Sequence, residues 1–289
     1  MRDEYVMRYE VKCDLDYEVQ AASTPFVFNI EAQRRPGQTV VEERLSLSQD
    51  LALERFTMAE SGNRYFRIHA NEGKLTVRYI AVVDLDPIKV VPAAVQEVPA
   101  GRLPFEVLTH TYPSRYIESD LLQPFARKEF GHLPQGYDRV VAICNWVHEH
   151  LDYTPGSSDE QTSARDTLLQ RAGVCRDFAH LAIAFCRALG IPSRFVSAYA
   201  WRLSPPDFHA VMEAWLEGPD GGAWFLFDPT RKAAPDGLVR MGIGRDAAEV
   251  AFCSPYGAVK YGKPEVRIES LDRSDDAALT TTAVTLAAA

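Results

Sequence analysis

Cys175 is the residue of this 289-residue sequence best placed to act as a nucleophile. It directly follows Gly173-Val174 and opens a long apolar segment that ends at Gly190, with Pro192 just beyond, a pattern typical of a buried helix. The first turn of a helix carries unpaired backbone N–H groups and the positive end of the helix dipole, and both favour a thiolate. A thiolate here would attack an acyl carbon, and the same N–H groups would stabilise the oxyanion that forms.

His209 is the best candidate for the base that such a thiol needs. His180 is nearer in sequence, but five residues along a helix rotate it about 140° away from Cys175, so we expect it to be a core residue. His209 opens an alternating run, and a second run after a glycine-rich turn ends at Asp228. The two runs can form an antiparallel hairpin whose centre lies between Gly218 and Pro219. Asp228 then lies opposite or diagonal to His209, if a bulge of one or two residues in the turn is allowed.

The three residue types together predict nucleophilic acyl transfer, with Cys175 as nucleophile, His209 as base and Asp228 as the residue that orients the base. Each has a structural explanation when taken alone, because such a cysteine is often a core residue, such a histidine is often structural, and aspartate before proline is typical of a turn. All three, however, lie at ends of predicted elements, where side chains can converge on one cleft. The remaining cysteines are predicted to be structural: Cys13, Cys144, Cys186 and Cys253.

The elements that must position these residues fall into two predicted domains. Short alternating runs separated by turns predict an antiparallel β-sandwich-like domain over residues 1–100. The proline-rich stretch 87–113 is typical of a linker. Helical periodicity begins at Asp120, so residues 101–271 are predicted to form a catalytic core with helices, followed by a flexible Ala/Thr-rich tail over 272–289.

Composition and charge exclude several other classes of protein. The chain is 46% hydrophobic and 25% charged, with a net charge of -9, which is typical of a soluble globular protein and disfavours a nucleic-acid partner. The start of the sequence lacks the apolar stretch of a secretory signal and no later window is long enough to span a bilayer, so we expect a cytoplasmic protein with no membrane partner. Five scattered cysteines predict neither a disulfide framework nor a metal site, and no cofactor is expected.

Four motifs resemble the core of the transglutaminase-like superfamily, which shares its fold with papain-like thiol enzymes. They are Gly173–Leu181, Gly190–Ser197, His209-Ala210 and Asp228-Pro229-Thr230. The first hundred residues resemble the N-terminal β domain of bacterial members, and the resemblance extends from about residue 8 to residue 270. It implies an α+β fold in which the cysteine helix packs on an antiparallel sheet that bears the histidine and the aspartate, with the roles given above for Cys175, His209 and Asp228.

The resemblance also implies a bacterial cysteine peptidase or amidase that hydrolyses a peptide, isopeptide or carboxamide bond through an acyl-enzyme. An acidic loop of the calcium-binding type is absent from the sequence, which favours hydrolysis. Two alternatives stay open, a protein-glutamine amine transferase that cross-links and a catalytically silent domain that binds a peptide or protein. Val211 replaces the tryptophan that bacterial relatives usually carry, which affects the cleft wall. Tyr153 and Trp146 are candidates for the second oxyanion donor.

Overall fold

The computed structural model describes residues 6–272 and 283–286, and seventeen strands and five α-helices lie within these ranges. The strands up to residue 90 are β1 (Met7–Val19), β2 (Thr24–Phe28), β3 (Gln38–Leu47), β4 (Glu54–Thr57), β5 (Arg64–Ala70), β6 (Gly73–Leu85) and β7 (Ile88–Val90). The helices are α1 (Phe105–Leu108), α2 (Ser119–Phe130), α3 (Tyr137–His150), α4 (Ala164–Gln170) and α5 (Cys175–Ala188). The later strands are β8 (Asp152–Tyr153), β9 (Ala172–Gly173), β10 (Ser193–Ala200), β11 (Phe208–Gly218), β12 (Gly221–Phe227), β13 (Leu238–Gly244), β14 (Cys253–Pro255), β15 (Val259–Tyr261), β16 (Glu265–Ser270) and β17 (Ala283–Thr285).

Two antiparallel sheets surround the first apolar core. One has the order β15-β1-β6-β3, with β16 also paired to β1, and the other has the order β14-β2-β5-β4. Every second residue of β1 is buried, because successive side chains of a strand point to opposite faces of the sheet. Residues from both sheets meet in one core, among them Tyr9, Phe28 and Tyr79. The predicted β-sandwich-like architecture is therefore confirmed.

Helix α5 is the centre of the second apolar core. It packs against strands β10 and β11 of the four-stranded antiparallel sheet β12-β11-β10-β13, and helices α2, α3 and α4 pack against its other sides. Every residue from Asp177 to Ala188 is buried, as expected of a helix that other elements surround. Cys144 and Cys186 lie in this core, as predicted. The α+β fold expected for the catalytic part is confirmed.

The last strands of the predicted catalytic segment belong to the first two sheets. Strand β16 pairs with β1, with Tyr9 opposite Ser270 and Asp14 opposite Glu265, and β14 pairs with β2. Strands from residues 101–271 therefore belong to more than one group of sheets. The edges of β1 and β2 pair with strands distant in sequence, and local residue spacing does not reveal such pairing. The boundary at residue 100 stays a prediction.

The predicted flexible tail, 272–289, is largely outside the described residues, which leave out 273–282 and 287–289. Its described strand β17 pairs with β7, with Ala283 opposite Val90, and Val284 is fully buried. This part of the tail packs against the protein, contrary to the prediction. Among the helices of the described ranges, none combines the length and the apolar character that crossing a bilayer requires.

Candidate active site

The start of α5 is fixed by a buried carboxylate two residues after Cys175. Oδ2 of Asp177 accepts hydrogen bonds from the backbone N–H of Val174 at 2.8 Å and from the hydroxyl of Ser158 at 2.6 Å. Asp177 is fully buried. A carboxylate at the third helical position stabilises the helix start and interacts favourably with the positive end of the dipole. The Cys-Arg-Asp motif thus holds Cys175 at the first position of the helix.

Gly173 allows this close approach. A Cβ atom built at this position would lie 2.6 Å from Cβ of Asp177, a distance that real Cβ atoms do not reach. The absence of a side chain at Gly173 therefore lets Asp177 fold back over the end of its own helix. This contact explains why glycine stands two residues before the cysteine.

Strands β11 and β12 carry His209 and Asp228 to the same end of their hairpin. Gly218 is paired with Gly221, so the turn contains only two residues, and Met212 is opposite Phe227. Continuing this register brings Asp228 level with residue 211, two positions from His209 and on the same side of the hairpin. The carboxylate therefore reaches the imidazole diagonally, one of the two predicted arrangements, with Asp228 Oδ2 at 2.9 Å from His209 Nε2.

Five hydrogen bonds hold the carboxylate of Asp228. Oδ1 accepts from the backbone N–H and the hydroxyl of Thr230, at 2.8 Å and 2.7 Å. Oδ2 accepts from His209 at 2.9 Å and from the backbone N–H groups of Lys232 and Ala233, at 3.1 Å and 2.8 Å. The Asp-Pro-Thr motif is therefore a turn in which the aspartate is locked in place by the chain that follows it.

The electrostatics of this pair favour a charged imidazole. Burial lowers the pKa of His209, but the Asp228 carboxylate and Cys175 together outweigh burial and raise that pKa to about 10. Burial raises the pKa of Asp228, whereas His209 and Thr230 lower it, and the result lies below the ordinary value. His209 therefore carries its proton at neutral pH.

Cys175 lies beside His209 at the start of α5. Its side chain acts on the imidazole and helps to raise the pKa of His209, and Nδ1 of that ring is buried with no hydrogen-bond partner within the described residues. Cys175 is half-buried, whereas Cys144 and Cys186 are fully enclosed. Cys253 is half-buried as well, but burial raises the pKa of its thiol to about 12. The three residues predicted from the sequence are therefore brought together.

Tyr153 is the second residue in contact with the thiol. Its hydroxyl interacts with both the backbone N–H and the side chain of Cys175, and Tyr153 is 37% exposed. Trp146, the other predicted oxyanion donor, instead packs in the helical core, with its ring centroid 5.5 Å from that of Phe185. The geometry therefore favours Tyr153 over Trp146.

His180 is a core residue, as expected. It is fully buried, and its Nε2 accepts a hydrogen bond from the backbone N–H of Ala247 at 3.2 Å. Its ring stacks on Tyr116 with centroids 5.2 Å apart. Burial lowers the pKa of His180 to about 3 despite the opposing charge of Asp246, so this imidazole is neutral at neutral pH.

Comparisons with known proteins identify the family and the fold of the chain. Residues 124–229 match the model of the transglutaminase-like superfamily, and residues 7–105 match that of the bacterial transglutaminase N-terminal domain. The chain is 37% identical to a candidate cysteine protease from Cytophaga hutchinsonii of known crystal structure, with a TM-score of 0.91 over 97% of this chain and 98% of that one.

Two mycobacterial proteins are similar over shorter stretches. An uncharacterised protein of Mycobacterium leprae is 38% identical over 117 residues, which are 39% of this chain and 42% of the relative. An uncharacterised protein of Mycobacterium tuberculosis (strain ATCC 25618 / H37Rv) is 29% identical over 206 residues, which are 64% of this chain and 66% of the relative. The matches thus span less than two thirds of the length of either relative.

Proposed function

The chain belongs to the transglutaminase-like superfamily, and from this premise we propose that it is a thiol hydrolase that cleaves a peptide, isopeptide or carboxamide bond through an acyl-enzyme. Cys175 is the nucleophile, His209 is the acid and base, and Asp228 orients and charges the imidazole. The fold and the similarity to a candidate cysteine protease support a thiol-dependent enzyme.

One observation carries the proposal, which is the position of His209 between a thiol and a carboxylate. Nε2 of His209 donates to Asp228 at 2.9 Å, and the Cys175 side chain interacts with the same ring. An imidazole in this position has one nitrogen fixed by the carboxylate and the other available to the sulfur. A purely structural role for His209 would not require a thiol at a helix start beside the ring.

The acylation step follows from this geometry. The Cys175 thiolate attacks the carbonyl carbon, a carbon–sulfur bond forms, and the carbonyl oxygen becomes an oxyanion. As the oxyanion collapses, the carbon–nitrogen bond breaks and imidazolium His209 gives its proton to the leaving amine. Asp228 stabilises the imidazolium before the transfer. A thioester and a free amine result.

The oxyanion needs donors beside the sulfur, and we assign two. The backbone N–H of Cys175 is the first, at the positive end of α5. The Tyr153 hydroxyl, which interacts with Cys175, is the second. A substrate oxygen placed between these two groups would accept a hydrogen bond from each.

Deacylation by water completes a hydrolase cycle. Neutral His209 takes a proton from water and the hydroxide adds to the thioester carbon. The carbon–sulfur bond then breaks, which releases a carboxylic acid and restores the Cys175 thiolate beside imidazolium His209. An amine in place of water would give the cross-linking transferase. The similarity to a candidate cysteine protease from C. hutchinsonii favours hydrolysis, with a peptide or protein as substrate. A cytoplasmic location stays a prediction.

The reaction is tested with a mixed peptide library, a labelled primary amine and mass spectrometry. Hydrolysis of a backbone amide splits a peptide, deamidation adds the mass difference between an acid and an amide, and amine transfer adds the label. We expect cleavage or deamidation with the wild type and none with Cys175→Ala. Incorporation of the amine as the main product would replace the hydrolase by the transferase.

Thiol labelling distinguishes an enzyme from a silent binding domain. Iodoacetamide at neutral pH should modify Cys175 faster than Cys253, which serves as a matched control because it is also half-buried. The His209→Ala variant should remove the difference in rate. If Cys175 reacts no faster than Cys253 in the wild type, the silent domain is the better description.

A further inference from the structure

A large cleft lies at the tip of the β11–β12 hairpin, away from the candidate active site. Its volume is about 1250 Å³, and Trp215, Trp224 and the turn residue Asp220 line it. A strand rises about 3.3 Å per residue, so the six residues from His209 to Trp215 place roughly 20 Å between the imidazole and the cleft. The cleft is therefore separate from the site of the thiol chemistry.

Two cross-strand tryptophans form an apolar surface in this cleft. Trp215 is opposite Trp224, with ring centroids 5.3 Å apart in an edge-to-face arrangement. A Cβ atom built on Gly222 would lie 2.6 Å from Cζ2 of Trp215, so the missing side chain leaves room for the indole. The surface suits an apolar or aromatic side chain of a ligand.

The inner end of the cleft carries a positive charge that is not fully compensated. Arg194 is 7% exposed and lies 4.0 Å above the ring of Trp224. Its Nε donates to Glu213 at 2.7 Å, while its Nη2 is buried with no partner in the described ranges. Glu213 also accepts from buried Arg240, and Arg35 acts electrostatically on both arginines. Two buried guanidinium groups thus share one carboxylate.

A neutral imidazole lies beside this charge. The ring of His110 is 5.0 Å from that of Trp224, and its Nδ1 is buried with no hydrogen-bond partner among the described residues. Burial, followed by the charges of Arg194 and other arginines, lowers the pKa of His110 to about 3. A neutral imidazole can donate or accept one hydrogen bond here, so the inner end offers both a cation and a neutral polar group.

The rim of the cleft carries the opposite charge. The side chains of Glu60, Glu106 and Asp220 line it, are exposed and form no ion pair within residues 6–272 and 283–286. Two further carboxylates, those of Glu217 and Glu249, are already paired with arginines at 3.0 Å and 2.7 Å. The charge of the cleft therefore changes from positive inside to negative at the rim.

We propose that this cleft binds a short peptide with free amino and carboxyl termini. The peptide carboxylate pairs with Arg194, its ammonium group lies among the carboxylates of the rim, and an apolar side chain rests on Trp215 and Trp224. A simple anion would meet the negative rim, and a simple cation would meet the positive inner end, whereas a zwitterion satisfies both. This site goes beyond the proposed reaction and is tested by binding alone.

Indole N–H signals in a nuclear magnetic resonance titration provide the test. The full-length Cys175→Ala variant, which cannot hydrolyse the probe, is titrated with alanyl-phenylalanine. We expect the signals of Trp215 and Trp224, assigned with tryptophan-to-phenylalanine variants, to shift, and those of Trp146 and Trp201 to stay. Blocking either terminus of the dipeptide, by acetylation or amidation, should weaken binding about tenfold, because each block removes one charge-assisted contact.

Rim variants supply the protein side of the same test. The double variant Glu106→Gln, Asp220→Asn should bind the unmodified dipeptide about tenfold more weakly. Its affinity for the acetylated dipeptide should equal that of the parent protein. Glu72→Gln, an exposed carboxylate in a turn outside the cleft, is the matched control and should change neither. Absence of shifts at millimolar dipeptide, or equal affinity for all three probes, would overturn the proposal.

Discussion

Asp228, directly after β12, is two positions out of step with His209 on the paired strand β11, yet its Oδ2 lies 2.9 Å from Nε2 of the imidazole. The two-residue turn sets this register, and the diagonal leaves the second oxygen of Asp228 free for Thr230. The carboxylate is thus fixed from both sides. Its position depends on the turn that follows β12 as much as on the hairpin.

Replacing Asp228 by asparagine should lower turnover by about 10²- to 10⁴-fold, because the amide cannot stabilise an imidazolium. The amide nitrogen would also face backbone N–H donors such as that of Ala233, which should cost roughly 1–3 kcal/mol of unfolding free energy. Steady-state kinetics and denaturant unfolding measure the two effects. Unchanged turnover in a folded Asp228→Asn variant would contradict the assigned role.

The stability of the fold should depend on pH through His209. Its folded pKa of about 10 exceeds the unfolded value, so the ion pair with Asp228 contributes fully below about pH 6.5 and loses its contribution as pH rises through about 10. Unfolding free energies at pH 6, 8 and 10 should show the gap between wild type and Asp228→Asn narrowing. A gap that stays constant over this range would contradict the raised pKa.

Tyr153→Phe should lower kcat by about 10²- to 10³-fold, as expected when one oxyanion donor is removed. KM should change little, because the donor acts chiefly in the transition state. Tyr256→Phe, which alters a 67% exposed tyrosine elsewhere, is the control and should behave like the wild type. If Tyr153→Phe retains full kcat, the second donor is another group.

Gly173→Ala should destabilise the start of α5 by about 1–3 kcal/mol, since the new Cβ would collide with that of Asp177. Turnover should fall with it because Cys175 is displaced. Gly101→Ala is the matched control, as its Cβ would meet open space. Thermal unfolding and kinetics of both variants test the contact, and equal effects at the two positions would argue against it.

Glu213→Gln should destabilise the protein by about 3–5 kcal/mol, because it leaves Arg194 and Arg240 buried without their shared carboxylate. Glu217→Gln on the same strand removes a partly exposed partner of Arg102 and should change stability by at most about 1 kcal/mol. Denaturant unfolding compares the two. Similar losses would mean that the buried arginines find other compensation.

Structural features that depend on a local residue pattern can be predicted from the sequence, whereas contacts between distant segments cannot. The helix start at Cys175 and the β11–β12 hairpin follow from short-range spacing, and the structure brings Cys175, His209 and Asp228 together. The contact of Tyr153 with Cys175 joins segments 22 residues apart through the parallel pair β8–β9, which no periodicity indicates.

Other features escaped prediction for the same reason. Buried Glu213 occupies a position in an alternating apolar run, and its arginine partners lie on two other strands. Strands β14 to β16 are too short for a strong alternating signal, and their partners are more than two hundred residues away. The five bonds of Asp228 could have been found, because threonine two residues after an aspartate is typical of a local turn.

Strand β1 has β6 on one side and strands β15 and β16 on the other, so the partners of its second edge are translated long after β1 itself. As the nascent chain leaves the ribosome, this long strand has an open edge until residues 259–270 emerge. The first sandwich therefore completes its hydrogen bonding after the thiol helix has already been translated. A growing chain therefore exposes that edge from the synthesis of β1 until residues 259–270 have been translated.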